Sequence, residues 1–247
     1  MSNSPLVNYT RISPNKTSPR KYKIDTITIH CVAGQCSVET LGEIFAPPSR
    51  KASSNYGIGP DGRIGMYVEE KDRSWCSSNG ANDNRAITIE VASDMTHPYA
   101  VNDKAYSALI DLLVDICQRN GIKELKWKGD KSLIGNVAEQ NMTVHKWFAN
   151  KDCPGEYLYE RHGDIAEKVN LRLKAISTSP KKKTTLKVGD RVKLKKGART
   201  YTGEKLASFV YKLTYDVVQI NEDRVVIGLG RAVTAAVHKK DLMLVAE

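Results

Sequence analysis

Three side chains far apart along the chain have the chemistry of a metal centre. His30 ends the apolar run Ile27-Thr28-Ile29, His145 follows Met142-Thr143-Val144, and Cys153 comes eight residues later, just before Pro154-Gly155. Two imidazole nitrogens and a thiolate suit Zn²⁺, with bonds of about 2.0–2.1 Å to nitrogen and about 2.3 Å to sulfur. Three protein ligands leave the fourth tetrahedral position to water, which is the arrangement of a catalytic rather than a structural zinc site. Spacing alone also admits a plainer reading, in which a strand histidine and a small buried cysteine serve packing.

Such ligands need a rigid platform, and the surrounding sequence predicts one. Residues 23–30 and 85–92 are β-branched runs that read as strands. Residues 56–59, the turn Pro60-Asp61-Gly62-Arg63 and residues 64–68 read as strand, turn, strand. Between Asn102 and Gly121 the period lengthens, so that Tyr106, Leu109, Ile110, Leu113 and Cys117 share one helical face. Asn102 is a good N-cap for that helix and Gly121 a good C-terminal stop. Ile165, Val169 and Leu173 mark a last helix, with His162 expected at its start. The fold class expected is α/β, a central mixed sheet flanked by helices.

Read together, the strings Ile27-Thr28-Ile29-His30-Cys31, Ser54-Asn55-Tyr56-Gly57-Ile58 with Asp61-Gly62, Ile87-Thr88-Ile89-Glu90-Val91, and His145 through Gly155 resemble the type 2 N-acetylmuramoyl-L-alanine amidases. That family is related to peptidoglycan recognition proteins and is common in phage endolysins. The resemblance spans residues 22–175. It implies hydrolysis of the amide joining N-acetylmuramic acid to L-alanine in bacterial peptidoglycan, with Zn²⁺ held by His30, His145 and Cys153. It also implies that Lys151 meets the negative charge of the tetrahedral intermediate. Glu90 matches the proton-handling carboxylate of the phage branch, and Tyr56 matches a tyrosine that other branches place in the site for positioning or for the oxyanion. Family members that only bind peptidoglycan often lack the metal-binding cysteine, so Cys153 favours an enzyme over a non-catalytic recognition protein. His97, His162 and His238 are expected outside the centre. Cys31 is expected to face away from His30 by strand alternation, and Cys36, Cys76 and Cys117 show no spacing for a second site. Trp75, Trp127 and Trp147 are candidates for a groove or for the core.

Composition bounds the rest. The chain has 247 residues, 40% hydrophobic and 27% charged, which is globular and not disordered. No run reaches the roughly 18–20 apolar residues of a membrane span. The N-terminus lacks the basic and apolar segments of a secretory signal, which leads to an expectation of synthesis in the cytoplasm and action on the wall after release. The formal charge of +10 is uneven: residues 177–247 hold 15 Lys and Arg against 7 Asp and Glu, whereas residues 1–176 hold 23 against 21. A polar stretch, 177–185, reads as a linker between a catalytic domain at 1–176 and a basic domain of short strands at 186–247. The latter resembles the Src-homology-3-like wall-binding modules of endolysins, a small all-β barrel, which implies a tether to an anionic wall polymer. Nucleic acid is the poorer partner, because the better-patterned front domain is almost neutral.

Overall fold

A computed structural model describes residues 2–178, 186–230 and 232–245, so most of the expected linker lies outside the described residues. The chain divides into two compact units, Met1–Ser179 and Pro180–Glu247.

The first unit opens with short strands β1 (Tyr9–Thr10) and β2 (Lys16–Thr17), then β3 (Thr26–Cys31) and helix α1 (Val38–Phe45). Strands β4 (Tyr56–Ile58), β5 (Ile64–Met66) and β6 (Arg73–Ser74) follow, then α2 (Gly80–Arg85) and β7 (Ala86–Val91). Helix α3 (Asp103–Asn120), strand β8 (Met142–Thr143) and helix α4 (Gly155–Thr178) complete it. Six strands form one mixed sheet in the order β1-β5-β4-β7-β3-β8, parallel except for the β4–β5 hairpin, and β2 pairs with β6 apart from it.

Alternation gives this sheet two different faces. Ile27, Ile29, Tyr56, Ile58, Ile87 and Ile89 point to one side and are buried in a single core with Leu109, Leu113 and Ile116 of α3 and Ile165 and Val169 of α4. Each such side chain, removed from water, contributes roughly 1.5–3 kcal/mol. Thr28, His30, Thr88 and Glu90 point to the other side, where hydroxyls replace aliphatic groups. Thr28 Oγ1 and Thr143 Oγ1 are 2.8 Å apart, Ser74 Oγ meets Thr88 Oγ1 at 2.7 Å, and Asn82 Nδ2 donates to Thr28 Oγ1 at 3.0 Å. These short polar contacts hold the strands beneath the future site in register.

Helix α3 ends where its caps dictate. Asn102 Oδ1 accepts from the Ala105 N–H at 2.9 Å, and Gly121 turns left-handed at φ 70°. Helix α4 begins earlier than its apolar period suggests, so His162 lies two turns inside it rather than at its start, its Nδ1–H donating to the Leu158 carbonyl at 2.7 Å. Helices α1 and α2 carry too few residues to announce themselves by periodicity.

The second unit is all-β. Strands β9 (Arg191–Leu194), β10 (Tyr215–Asn221), β11 (Arg224–Leu229), β12 (Ala232–His238) and β13 (Leu242–Leu244) form an antiparallel sheet in the order β12-β11-β10-β9-β13. Val192, Leu194, Tyr215, Val217, Val225, Ile227 and Val237 build its own core. The three-residue β13 is too short to be seen in the sequence.

Candidate active site

Parallel pairing carries three chain segments to the same end of the sheet. In the β3–β7 register His30 lies opposite Glu90, and β8 runs beside β3 on its other edge, with Thr28 opposite Thr143. Immediately after β8, a single 3-10 turn at His145–Trp147 lifts His145 toward His30. The Lys146 N–H donates to the Cys153 carbonyl at 3.0 Å, tying the cysteine's segment to that turn. Gly155 then starts α4 at φ 78°, where a Cβ would lie 2.7 Å from Tyr99 Cβ; only glycine fits.

The result is a tight donor cluster. One ring nitrogen of His30, one of His145 and the Cys153 sulfur all lie within 4.8 Å of one another. Cys153 Sγ is 3.2 Å from His30 Nδ1, and the two imidazole centroids are 5.1 Å apart. His30 is fully buried, and its Nε2 has no hydrogen-bond partner among the described residues. Burial, reinforced by His145, holds the His30 pKa down to about 3. Burial and the Lys151 charge lower that of His145. Both rings are therefore neutral near pH 7, the form that binds metals. The Cys153 thiol is held well above its ordinary range by its hydrogen bond with Cys31, by burial and by the Glu90 charge. A divalent cation would reverse that balance and release the proton. In donor type, number and proximity, the cluster fits Zn²⁺.

Glu90, next to last in β7, lies beside it. Burial, with the Cys31 charge adding to it, pushes the Glu90 carboxyl up to about 8. The Cys76 thiol donates to Glu90 Oε1 at 3.7 Å, and Cys76 and Glu90 each place a donor atom within 4.8 Å of His30. Ser78 Oγ lies 3.0 Å from His145 Nε2. The cluster opens into a groove of about 390 Å³ whose lining includes Trp75, Cys76, Glu90, His145 and Lys151. Cys76 and Ser78 were not legible as site residues, because they come from a loop after β6 that has no periodicity. Cys31, the last residue of β3, packs against the core that holds Ile27 and Ile29, the side of the sheet away from His30 as alternation predicts, and its pKa is lowered chiefly by Cys153.

Tyr56 is not brought to the cluster. It pairs with Ile89, whereas its neighbour Gly57 pairs with Glu90, so the tyrosine is on the opposite, apolar face of the sheet. There its hydroxyl donates to Glu70 Oε1 at 2.6 Å and accepts from the Ser4 N–H at 3.0 Å. Tyr56→Phe should therefore retain hydrolysis while lowering stability by about 1–3 kcal/mol, since it leaves buried polar groups unpaired. Denaturant melts beside rate measurements check this, and a large rate loss at unchanged stability contradicts it. The remaining histidines also lie outside the cluster. His97 Nε2 meets Glu156 at 2.8 Å, His238 Nδ1 meets Asp223 at 2.9 Å, and His162 packs on Trp127, with centroids 4.4 Å apart. Trp127 in turn stacks on Trp147 at 5.2 Å, leaving Trp75 as the tryptophan of the groove.

Comparison with curated proteins finds no match. Among solved structures, the chain is similar to a mutant endolysin from Bacillus subtilis, at 18% identity and TM-score 0.49 over 66% of this chain and 99% of that one. It is similar to a selenomethionine derivative of AmpD at 18% identity and TM-score 0.48, over 67% of this chain and 99% of that one. It is also similar to the endolysin N-acetylmuramoyl-L-alanine amidase LysCS from Clostridium intestinale URNW, at 20% and 0.47 over 69% and 99%. The family described as N-acetylmuramoyl-L-alanine amidase matches residues 20–156, a span that contains every member of the donor cluster. With more than half of its length matched, the chain belongs to the N-acetylmuramoyl-L-alanine amidase family.

Proposed function

We propose that this peptidoglycan amidase cleaves the muramoyl–L-alanine amide with a zinc ion held by His30, His145 and Cys153. The observation that carries the reading is the convergence of those three donors within 4.8 Å beside Glu90. When bound, the ion supplies Lewis-acid polarisation of the scissile carbonyl and of the attacking water. Glu90, whose carboxyl a cation at the centre would hold ionised, takes the proton from that water and passes it to the leaving amine. Lys151, on the groove wall, offers its ammonium to the oxygen that becomes negative. Cys76 holds Glu90 in place through the thiol–carboxylate contact.

The domain division proposed is catalysis at 1–176, a linker at 177–185 and a Src-homology-3-like wall-binding module at 186–247. The charge of the last segment supports a tether to an anionic wall polymer, which would raise the local substrate concentration. No helix among the described residues is long and apolar enough to cross a membrane, and the site of action proposed is the bacterial wall. One experiment addresses both parts. Purified walls are incubated with the intact chain and with a version ending at Ser177, with chelator and with restored zinc, at two salt concentrations. New amino groups should appear only with zinc, and wall binding should weaken on truncation and at high salt. Absence of amino-group release with zinc present would make the chain a recognition protein, and binding unchanged by truncation would remove the tether.

A further inference from the structure

The groove beside the donor cluster carries more positive charge than catalysis uses. Besides Lys151, its lining includes Arg50, Lys51 and Arg73, and no ion pair joins any of these four to an acid among the described residues. The two acids of the lining are otherwise engaged. Asp83 accepts from the backbone N–H of Cys76 at 3.0 Å and from Ser77, and Glu90 lies against Cys76. In a unit whose overall charge nearly cancels, this is a local, uncompensated concentration of cations.

Its geometry is held, not loose. Arg73 Nη2 donates to Thr17 Oγ1 at 2.7 Å, while its Nε is buried without a partner. Its Nη1 lies so close over Gly80 that a Cβ there would stand 2.5 Å away. Lys51 follows the single 3-10 turn Pro48–Arg50 in a left-handed conformation, φ 50° and ψ 28°, an uncommon state for a residue with a side chain. Arg50 is near enough for its charge to act on Glu90. A planar, pre-oriented guanidinium with unused donors is matched in shape and charge by a carboxylate.

The geometry points to a carboxylate subsite: Arg73, with Arg50 and Lys51, binds a free carboxylate of the stem peptide and makes this amidase select acidic stems over amidated ones. This rests on the proposed amidase reading and deepens it. Near the scissile bond the anion must come from the peptide, because muramic acid has spent its own carboxyl in the amide and N-acetyl sugars carry no charge. Binding that persists into the transition state raises kcat/KM for the matching substrate, and the unmatched analogue leaves the cations unpaired.

The test uses the full zinc-loaded chain with N-acetylmuramoyl-L-alanyl-D-glutamate and its diamide, followed as released amine. The diacid should be preferred by about tenfold to a hundredfold in kcat/KM, the worth of a charge-assisted hydrogen-bond pair. In Arg73→Gln, and separately in the exposed double variant Arg50→Gln/Lys51→Gln, that ratio should fall to within a few-fold of unity. Added salt should compress it in the parent. Equal cleavage of the two substrates by the parent overturns this inference and leaves the amidase reading standing. A ratio unchanged in both variants overturns it as well. Cleavage of neither substrate overturns the amidase reading and this inference with it.

Discussion

Cys153→Ser lowers muramoyl–alanine hydrolysis by about a thousandfold or more, which corresponds to roughly 4 kcal/mol of lost transition-state stabilisation. A serine hydroxyl does not ionise near neutral pH and is a hard donor, so the centre keeps two imidazoles and loses its anionic ligand. The fold survives the change, since the backbone bond from Lys146 to the carbonyl of residue 153 does not involve the side chain. Zinc content after dialysis should fall together with the rate. A variant that holds as much zinc as the parent and cleaves walls equally well removes His30, His145 and Cys153 as the metal centre.

Glu90→Gln isolates the proton carrier from the metal. Zinc should stay bound, while kcat drops by about 10²–10⁴, the usual worth of a positioned general base. Stability should move the other way. In the metal-free folded chain the Glu90 carboxyl stays protonated up to about pH 8, whereas an ordinary glutamate ionises near 4.5. Between those values the folded state holds more protons than the unfolded state, so stability falls as pH rises through the window. Glutamine has no proton to lose. The chelated variant should therefore melt above the chelated parent near pH 8, with the gap closing toward pH 4. A variant that melts no higher at pH 8, or that keeps parental kcat, counts against the assignment of Glu90.

The residues that sequence reasoning placed well share a physical cause. Helix α3 was legible because capping and period agree, with Asn102 and Gly121 bounding a continuous apolar face. His30 and Glu90 were legible because they end β-branched runs of equal length, which then pair in parallel register. Tyr56 was misplaced because a motif match ignores the parity of the strand. Register sends Gly57, not Tyr56, to the side of Glu90. Cys76 was dismissed for want of spacing, yet loops obey no period, and only the fold brings this thiol to 3.7 Å from Glu90. Cys31 shows the converse, a strand rule that held to the last residue of β3.

The order in which the pieces of the centre occur also bears on how the protein matures. Positions 30, 90, 145 and 153 must all be present, and β3 must be flanked by both β7 and β8, before the donors meet. A polypeptide still emerging from the ribosome before residue 145 is exposed holds His30 with neither of the other two proposed ligands. Metal capture at the proposed centre would consequently be a late event that reports completion of the first unit, and the ion would then stabilise only chains that have reached that stage.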